Sequence, residues 1–251
     1  MDTPPLSAAA SSLLGGLLDG APALVDEVAR TRVSVHFQTD SPDLPVLSVC
    51  TPDAVRLPNA LVTATLPATR QVSVGAGRLS GGGRAWRVTR WWQPPRPRGL
   101  SRPRLGLAGL WPSVGEVSGW GVAPPGPAYD GLSPAALLGA GPGLTPAGDD
   151  VLAGALVTAH ATGDPRLPDW VRRTRAGLTP TATTAVSRAM LHHALDGYAT
   201  PELARFLTAL CRGGDVGAAR ADLLAVGHSS GAALLVGVLH TLTTYELEGA
   251  A

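Results

Sequence analysis

Apolar positions near the start of the chain recur at helical spacing. Leu13, Leu14, Leu17 and Leu18 form one run, and Leu24, Val25 and Val28 resume after a break at Gly20 and Pro22. Residues 6–29 are therefore expected to be helical, and 1–30 are set apart as an N-terminal helical segment. From Thr31 the period shortens to two. Val33, Val35 and Phe37 alternate with Arg32, Ser34 and His36. Further strands are expected at 46–49, 61–66, 71–75 and 85–92, each bounded by Gly or Pro. Strands in succession without intervening helices predict an antiparallel sheet or small barrel, assigned to 31–125. After Pro124-Pro125-Gly126-Pro127 the chain becomes rich in Ala and Leu. Helices are expected at 134–139, 146–161, 168–176, 181–197, 201–212, 215–225 and 230–246. The fold class is accordingly α+β: a β-rich N-terminal half followed by a C-terminal helical bundle over 126–251.

Two of these helices begin alike. Gly148-Asp149-Asp150-Val151-Leu152-Ala153-Gly154-Ala155-Leu156 and Gly231-Ala232-Ala233-Leu234-Leu235-Val236-Gly237-Val238-Leu239 share the form G-x-x-φ-L-x-G-x-L. Both follow a turn rich in Gly, Ser, Thr or Pro. A glycine inside a helix costs roughly 1 kcal/mol against alanine, so Gly154 and Gly237 call for a packing reason. Close approach of the two helices there would bring both N-termini to one end of the bundle.

Composition narrows the classes of function. With 45% hydrophobic and 16% charged residues among 251, the chain can build a substantial core. The net charge of +1 points to no nucleic-acid or membrane partner. All 20 basic residues are Arg, which reads as codon bias and discounts Arg clusters. Arg84–Arg104 mixes Arg with Trp. It reads either as a stacking surface for nucleic acid or, as preferred here, as a strand with tryptophans on one side and solvated arginines. Trp111 and Trp120 are expected to pack between the two halves. Cys50 and Cys211 suit neither a disulfide framework nor a zinc site. With no leader or membrane-span pattern in the sequence, a cytoplasmic protein is expected.

The candidate chemistry gathers at the two turns. Gly141, Gly143, Leu144, Thr145 and Gly148 lead into one helix, with Thr145 as N-cap and Pro146 as the first helical residue. Ser229, Ser230 and Gly231 open the other, with Ser229 or Ser230 as cap. Free N–H groups at a helix start can hold an anion, so these residues are assigned to ligand binding. Asp149, Asp150 and His228 are assigned to catalysis. The aspartates either offset the helix dipole, receive hydrogen bonds from a polar substrate, or hold a hard cation such as Mg²⁺. On the substrate reading, exchanging either for Asn abolishes binding with little loss of stability. The glycines match neither the dinucleotide fingerprint nor the Walker loop. Gly227-His228-Ser229-Ser230-Gly231 fits the nucleophile elbow of a serine hydrolase if Leu223–Val226 is a strand. Only His240 lies downstream, too late to complete a triad. His192 and His193 are adjacent on one helix and point about 100° apart, a poor ligand pair.

Residues 139–154, as G-x-G-P-G-L-T-P-[AS]-G-D-D-x-L-x-G, and 227–237, as G-H-[ST]-S-G-x-x-L-x-x-G, resemble the paired signatures of the AllH-like family, formerly a bacterial domain of unknown function. The C-terminal half carries the likeness, and Thr31–Pro67 fits loosely. The family includes a subunit of oxamate carbamoyltransferase in allantoin catabolism. The resemblance implies a carbamoyltransferase complex with other subunits, acting on small anions such as oxamate, oxalurate, phosphate or carbamoyl phosphate. The alternative is a non-catalytic subunit whose glycine-rich turns shape a partner interface.

Overall fold

The computed structural model describes residues 4–103, 106–113, 115–117 and 133–248. The chain divides into two compact units, Met1–Pro94 and Pro95–Ala251. The first is a closed barrel of eight strands: β1 Leu6–Ser11, β2 Ala23–Arg30, β3 Ser34–Gln38, β4 Val46–Cys50, β5 Ala60–Thr63, β6 Gln71–Gly75, β7 Arg78–Gly81 and β8 Arg84–Trp92. Around the barrel they run β1-β5-β4-β3-β2-β6-β7-β8. Six of the pairs are antiparallel; β1 with β8 and β4 with β5 are parallel.

The expected N-terminal helical segment is corrected. Only Ser12–Leu14, a 3-10 turn, and α1, Gly15–Asp19, are helical; the flanks are barrel strands. Leu14 and Leu18 are fully buried at the spacing that suggested a helix. Ala8 and Ala10 face the same core with period two, too small in side chain to announce it. The core is filled by Val35, Phe37, Leu47, Leu61 and Trp86 among others. The sequence reading also passed over β7. It is joined to β6 by the two-residue turn Ala76-Gly77, where φ is +50° and +72° and Gly75 pairs with Arg78. Positive φ at both positions suits a tight hairpin. The last strand ends at Trp92, and the described residues beyond Pro94 belong to the second unit.

The second unit holds α2 Pro134–Leu137, α3 Ala147–Thr162, α4 Leu167–Gly177, α5 Ala185–Ala194, α6 Pro201–Arg212, α7 Val216–Leu224 and α8 Ser230–Glu248. Each falls within a few residues of its expected span. Trp111 is half-buried, and its carbonyl accepts from Arg220; Trp120 and Pro124–Pro127 lie outside the described residues. Among the described residues no helix is long and apolar enough to cross a membrane.

The repeated motif has a structural counterpart. A Cβ on Gly154 would lie 2.2 Å from the Leu234 carbonyl oxygen, and one on Gly237 would lie 2.1 Å from that of Val151. These contacts are reciprocal, since Val151 and Leu234 hold equivalent places in the two copies. The backbones of α3 and α8 thus touch where only glycine fits. Thr158 and Thr241 each donate to the glycine carbonyl four residues back, at 2.7 and 2.8 Å. At the entrances, a Cβ on Gly148 would meet the Leu137 carbonyl oxygen at 2.1 Å. One on Gly231 would meet that of Leu223 at 1.9 Å. Each long helix therefore leaves its turn pressed on the end of the preceding helix.

Candidate functional site

The α3–α8 contact brings the two helix starts side by side. The Thr145 and Ser230 hydroxyls bond to each other at 3.0 Å, across 85 residues of chain. Thr145 is not the expected N-cap. The helix begins at Ala147 behind Pro146, without a side-chain cap, because the Thr145 hydroxyl is turned to Ser230. Ser229 precedes α8, and its carbonyl accepts from the Ala233 amide at 3.1 Å.

Asp149 and Asp150 differ sharply in environment although both are buried. The Asp149 carboxylate accepts the Gly139 amide at 2.9 Å, the Ser187 hydroxyl at 2.6 Å and the Thr183 hydroxyl. It fastens the glycine-rich turn to the start of α5. Gly139 has φ +69°, and a Cβ there would stand 2.2 Å from the Ala182 carbonyl oxygen, so the turn runs hard against the segment entering α5. Thr184 caps α5 by accepting from the Ser187 amide at 3.1 Å and donates to the Leu144 carbonyl at 2.5 Å. Asp149 is thus a positioning residue. Three donors converge on it, so its exchange is expected to cost stability.

Asp150 has no such partners. Neither carboxyl oxygen forms a hydrogen bond, though the residue is 1% exposed. Burial, helped by the nearby charge of Asp149, pushes its pKa up to about 8. The Ser230 and Thr145 hydroxyls lie near enough to oppose that rise, yet not in bonding geometry. Desolvation wins, so this carboxyl is largely protonated near neutrality and carries an O–H to donate. In the second copy the positions of Asp149 and Asp150 are Ala232 and Ala233. The acid chemistry sits on one side of an otherwise repeated junction.

The helix starts are less open than the sequence suggests. The Gly148 amide donates to the Ala140 carbonyl at 2.9 Å, and those of Asp149 and Asp150 to the Pro146 carbonyl at 3.0 and 3.2 Å. The Gly231 amide donates to the Val226 carbonyl at 2.9 Å. These amides are engaged within the turns, so side-chain hydroxyls and the Asp150 carboxyl are what the junction can offer a ligand. His228 and Gly143 are exposed, and Gly141 and Leu144 are half-buried. Among the described residues no group of three His, Cys, Asp or Glu side chains could hold a metal ion.

The serine-hydrolase reading is corrected. Leu223 and Leu224 end helix α7, and a turn leads to α8, so no strand precedes Ser229. A nucleophile elbow needs a strand there. His193 is buried with its Nε2 unpartnered, and its pKa falls to about 3 through burial and the neighbouring His192. It packs, as one of that pair was expected to. Thr183 and Ser187 were missed. They lie 34 and 38 residues from Asp149, and nothing local in the sequence ties them to it.

Residues 137–242 match the family described as oxamate carbamoyltransferase subunit AllH. No solved structure matches the chain. The matched stretch runs from the end of α2 into α8 and contains both glycine-rich turns. Over these residues the helical unit is similar to that family.

Proposed function

We propose that this protein, whose helical unit is similar to the AllH family, belongs to that family, works as a subunit of a carbamoyltransferase-type enzyme and binds a small carboxylate, carbamoyl or phosphate compound where α3 and α8 begin. The observation that carries the reading is the Asp150 carboxyl, buried at that junction without a hydrogen-bond partner. Unsatisfied buried polar groups are costly, and native proteins keep few of them outside functional sites. An anion beside two carboxylates would ordinarily be repelled. Here Asp149 is matched by three donors, and a protonated Asp150 carries no charge. Asp150 would then donate to a carboxylate or phosphoryl oxygen. Thr145 and Ser230, which can each donate or accept, would receive a carbamoyl N–H. His228, exposed at the rim, is the acid–base group on this reading. Asp149 holds the turn without touching the ligand.

Calorimetric titration of the full chain with oxamate, carbamoyl phosphate and inorganic phosphate tests this. Binding of at least one compound is expected, with Asp150→Asn and Ser230→Ala each weakening it by about tenfold or more. Unchanged affinity in both variants would remove the site from this junction.

A second reading is favoured by the exposure of Pro142, Gly143 and His228 beside aspartates sealed from solvent. On it the turns form a contact surface for other subunits, and the chain does no chemistry. Co-purification of partner subunits that turn over carbamoyl phosphate at the same rate with His228→Ala and Asp150→Asn chains as with the natural one would establish that reading.

A further inference from the structure

The outer face of the barrel carries a basic stripe, and strand register sets its members. On β1, Ala8 and Ala10 belong to the core, so Ser7 and Ala9 point outward. Ser7 stands opposite Arg87 of β8 and Ala9 opposite Arg90. A register shift between Ala8 and Ala9 takes up the extra residue of β8 and keeps both arginines on the outer side. Arg78 on β7 stands opposite Arg87 and shares that side. Trp92 follows at the end of β8, opposite Ser11. Arg56, from the segment joining β4 to β5, lies over the Trp92 ring, 5.4 Å from its centre. Beside Arg56, Arg90 and Trp92 a cleft of about 540 Å³ opens along the small residues Ser7 and Ala9.

Three observations point to an anionic ligand. Arg56, Arg78, Arg87 and Arg90 are all exposed, and among the described residues none forms an ion pair or a side-chain hydrogen bond. No acidic side chain lines the cleft, and Asp53, exposed three residues before Arg56, pairs with none of the four. Arg78 and Arg87 face each other directly across neighbouring strands, and like charges so placed destabilise a sheet. The Trp92 indole N–H is buried without an acceptor.

The chemistry of the anion can be narrowed. Guanidinium forks match phosphate oxygens two at a time. At about 3.3 Å per residue, Arg87 and Arg90 lie roughly 10 Å apart along β8, which suits an anion charged at more than one point. The stripe offers bases no open ring to stack on: Arg56 lies over Trp92, and Trp91 points to the opposite face with Ala10. The cleft is of small-molecule size.

We propose that this stripe binds a short chain of phosphates, free or as the tail of a nucleotide. One phosphate enters the cleft between Arg56 and Arg90 and accepts the Trp92 N–H, and the next lies against Arg87 and Arg78. The site is confined to the barrel and does not depend on the function proposed for the helical unit.

The test is an NMR titration of the intact chain labelled with ¹⁵N-tryptophan, in metal-free buffer, with the Trp92 signal assigned through Trp92→Phe. Tripolyphosphate and ATP are the probes; inorganic phosphate, a thymidine oligonucleotide and an oligoglutamate peptide are the controls. A saturable shift of the Trp92 N–H is expected with tripolyphosphate, at an affinity at least tenfold above that of inorganic phosphate. ATP producing the same shift more tightly identifies a nucleotide tail, and ATP binding more weakly identifies a free chain. Arg87→Gln and Arg90→Gln should each weaken binding by about tenfold. Arg32→Gln, outside the stripe, should leave it unchanged. Without ligand, Arg87→Gln should melt no lower than the natural chain, since it removes a like-charge pair. No saturable shift with either probe at millimolar concentration would overturn the proposal. So would inorganic phosphate binding as tightly as tripolyphosphate, or Arg32→Gln weakening binding as much as Arg90→Gln, which would mark diffuse attraction. Tighter binding of the oligonucleotide or the peptide than of both probes would make the stripe a docking face for a macromolecule and overturn it equally.

Discussion

Asp150→Asn should change how the stability of the helical unit depends on pH. The carboxyl titrates near 3.8 when exposed in the unfolded chain and near 8 in the fold. Between those values the unfolded chain gives up a proton that the folded protein keeps. The folded state is therefore favoured most below the lower value and loses that advantage as pH rises through the window. Each pH unit costs about 1.4 kcal/mol. From pH 5 to pH 7 the natural chain should lose roughly 2–3 kcal/mol relative to the Asp150→Asn variant, which has no proton to lose. His36 and His193, also shifted by burial, titrate in both proteins and cancel in the difference. Urea unfolding followed by the helical circular-dichroism signal, at pH 5, 6 and 7, measures it. A difference between the two chains that stays constant to within about 0.5 kcal/mol would mean that Asp150 ionises as in water. The assignment of a neutral donor at the α3–α8 junction would then be wrong.

Other expectations follow from the same geometry. Gly154→Ala and Gly237→Ala each drive a methyl into a facing carbonyl, at 2.2 and 2.1 Å. Each should cost about 1–3 kcal/mol or more through forced separation of α3 and α8; a melting temperature equal to the natural chain's would contradict the packing. Asp149→Asn should destabilise the helical unit by about 2–4 kcal/mol and Ser187→Ala by about 1–2 kcal/mol, because charge-assisted bonds to the glycine-rich turn are lost. Chemical denaturation gives both values, and an Asp149→Asn chain as stable as the natural one would return Asp149 to the ligand. The Asp164 side chain is fully buried and bonded by Arg166 at 2.7 Å and Arg102 at 3.1 Å. Burial resists its ionisation, but the Arg166 bonds and the two arginine charges outweigh that and hold its pKa below the usual carboxylate value. Its contribution is present above the unfolded pKa and lost as pH falls through the folded one. Unfolding curves near pH 6 and near pH 3 should therefore diverge less in Asp164→Asn than in the natural chain.

Local pattern determined much of this protein. The change of period at Thr31, the glycine and proline punctuation and the Ala/Leu-rich second half were enough for the α+β class and for the seven later helices. The paired glycine motif also foretold the meeting of two helices, because a glycine held inside a helix costs stability unless something presses against it. The first thirty residues were misread because alanines on a barrel strand carry little periodic contrast. The hairpin at Ala76-Gly77 was missed because its strands are short. Only the tertiary structure separated the two aspartates. They are adjacent in sequence and equally acidic as written, yet donors from Gly139, Thr183 and Ser187 converge on one and none reaches the other. Hydrogen bonds across 34 or more residues, and the desolvation that raises one carboxyl's pKa, arise from packing between segments. No window of neighbouring residues contains them.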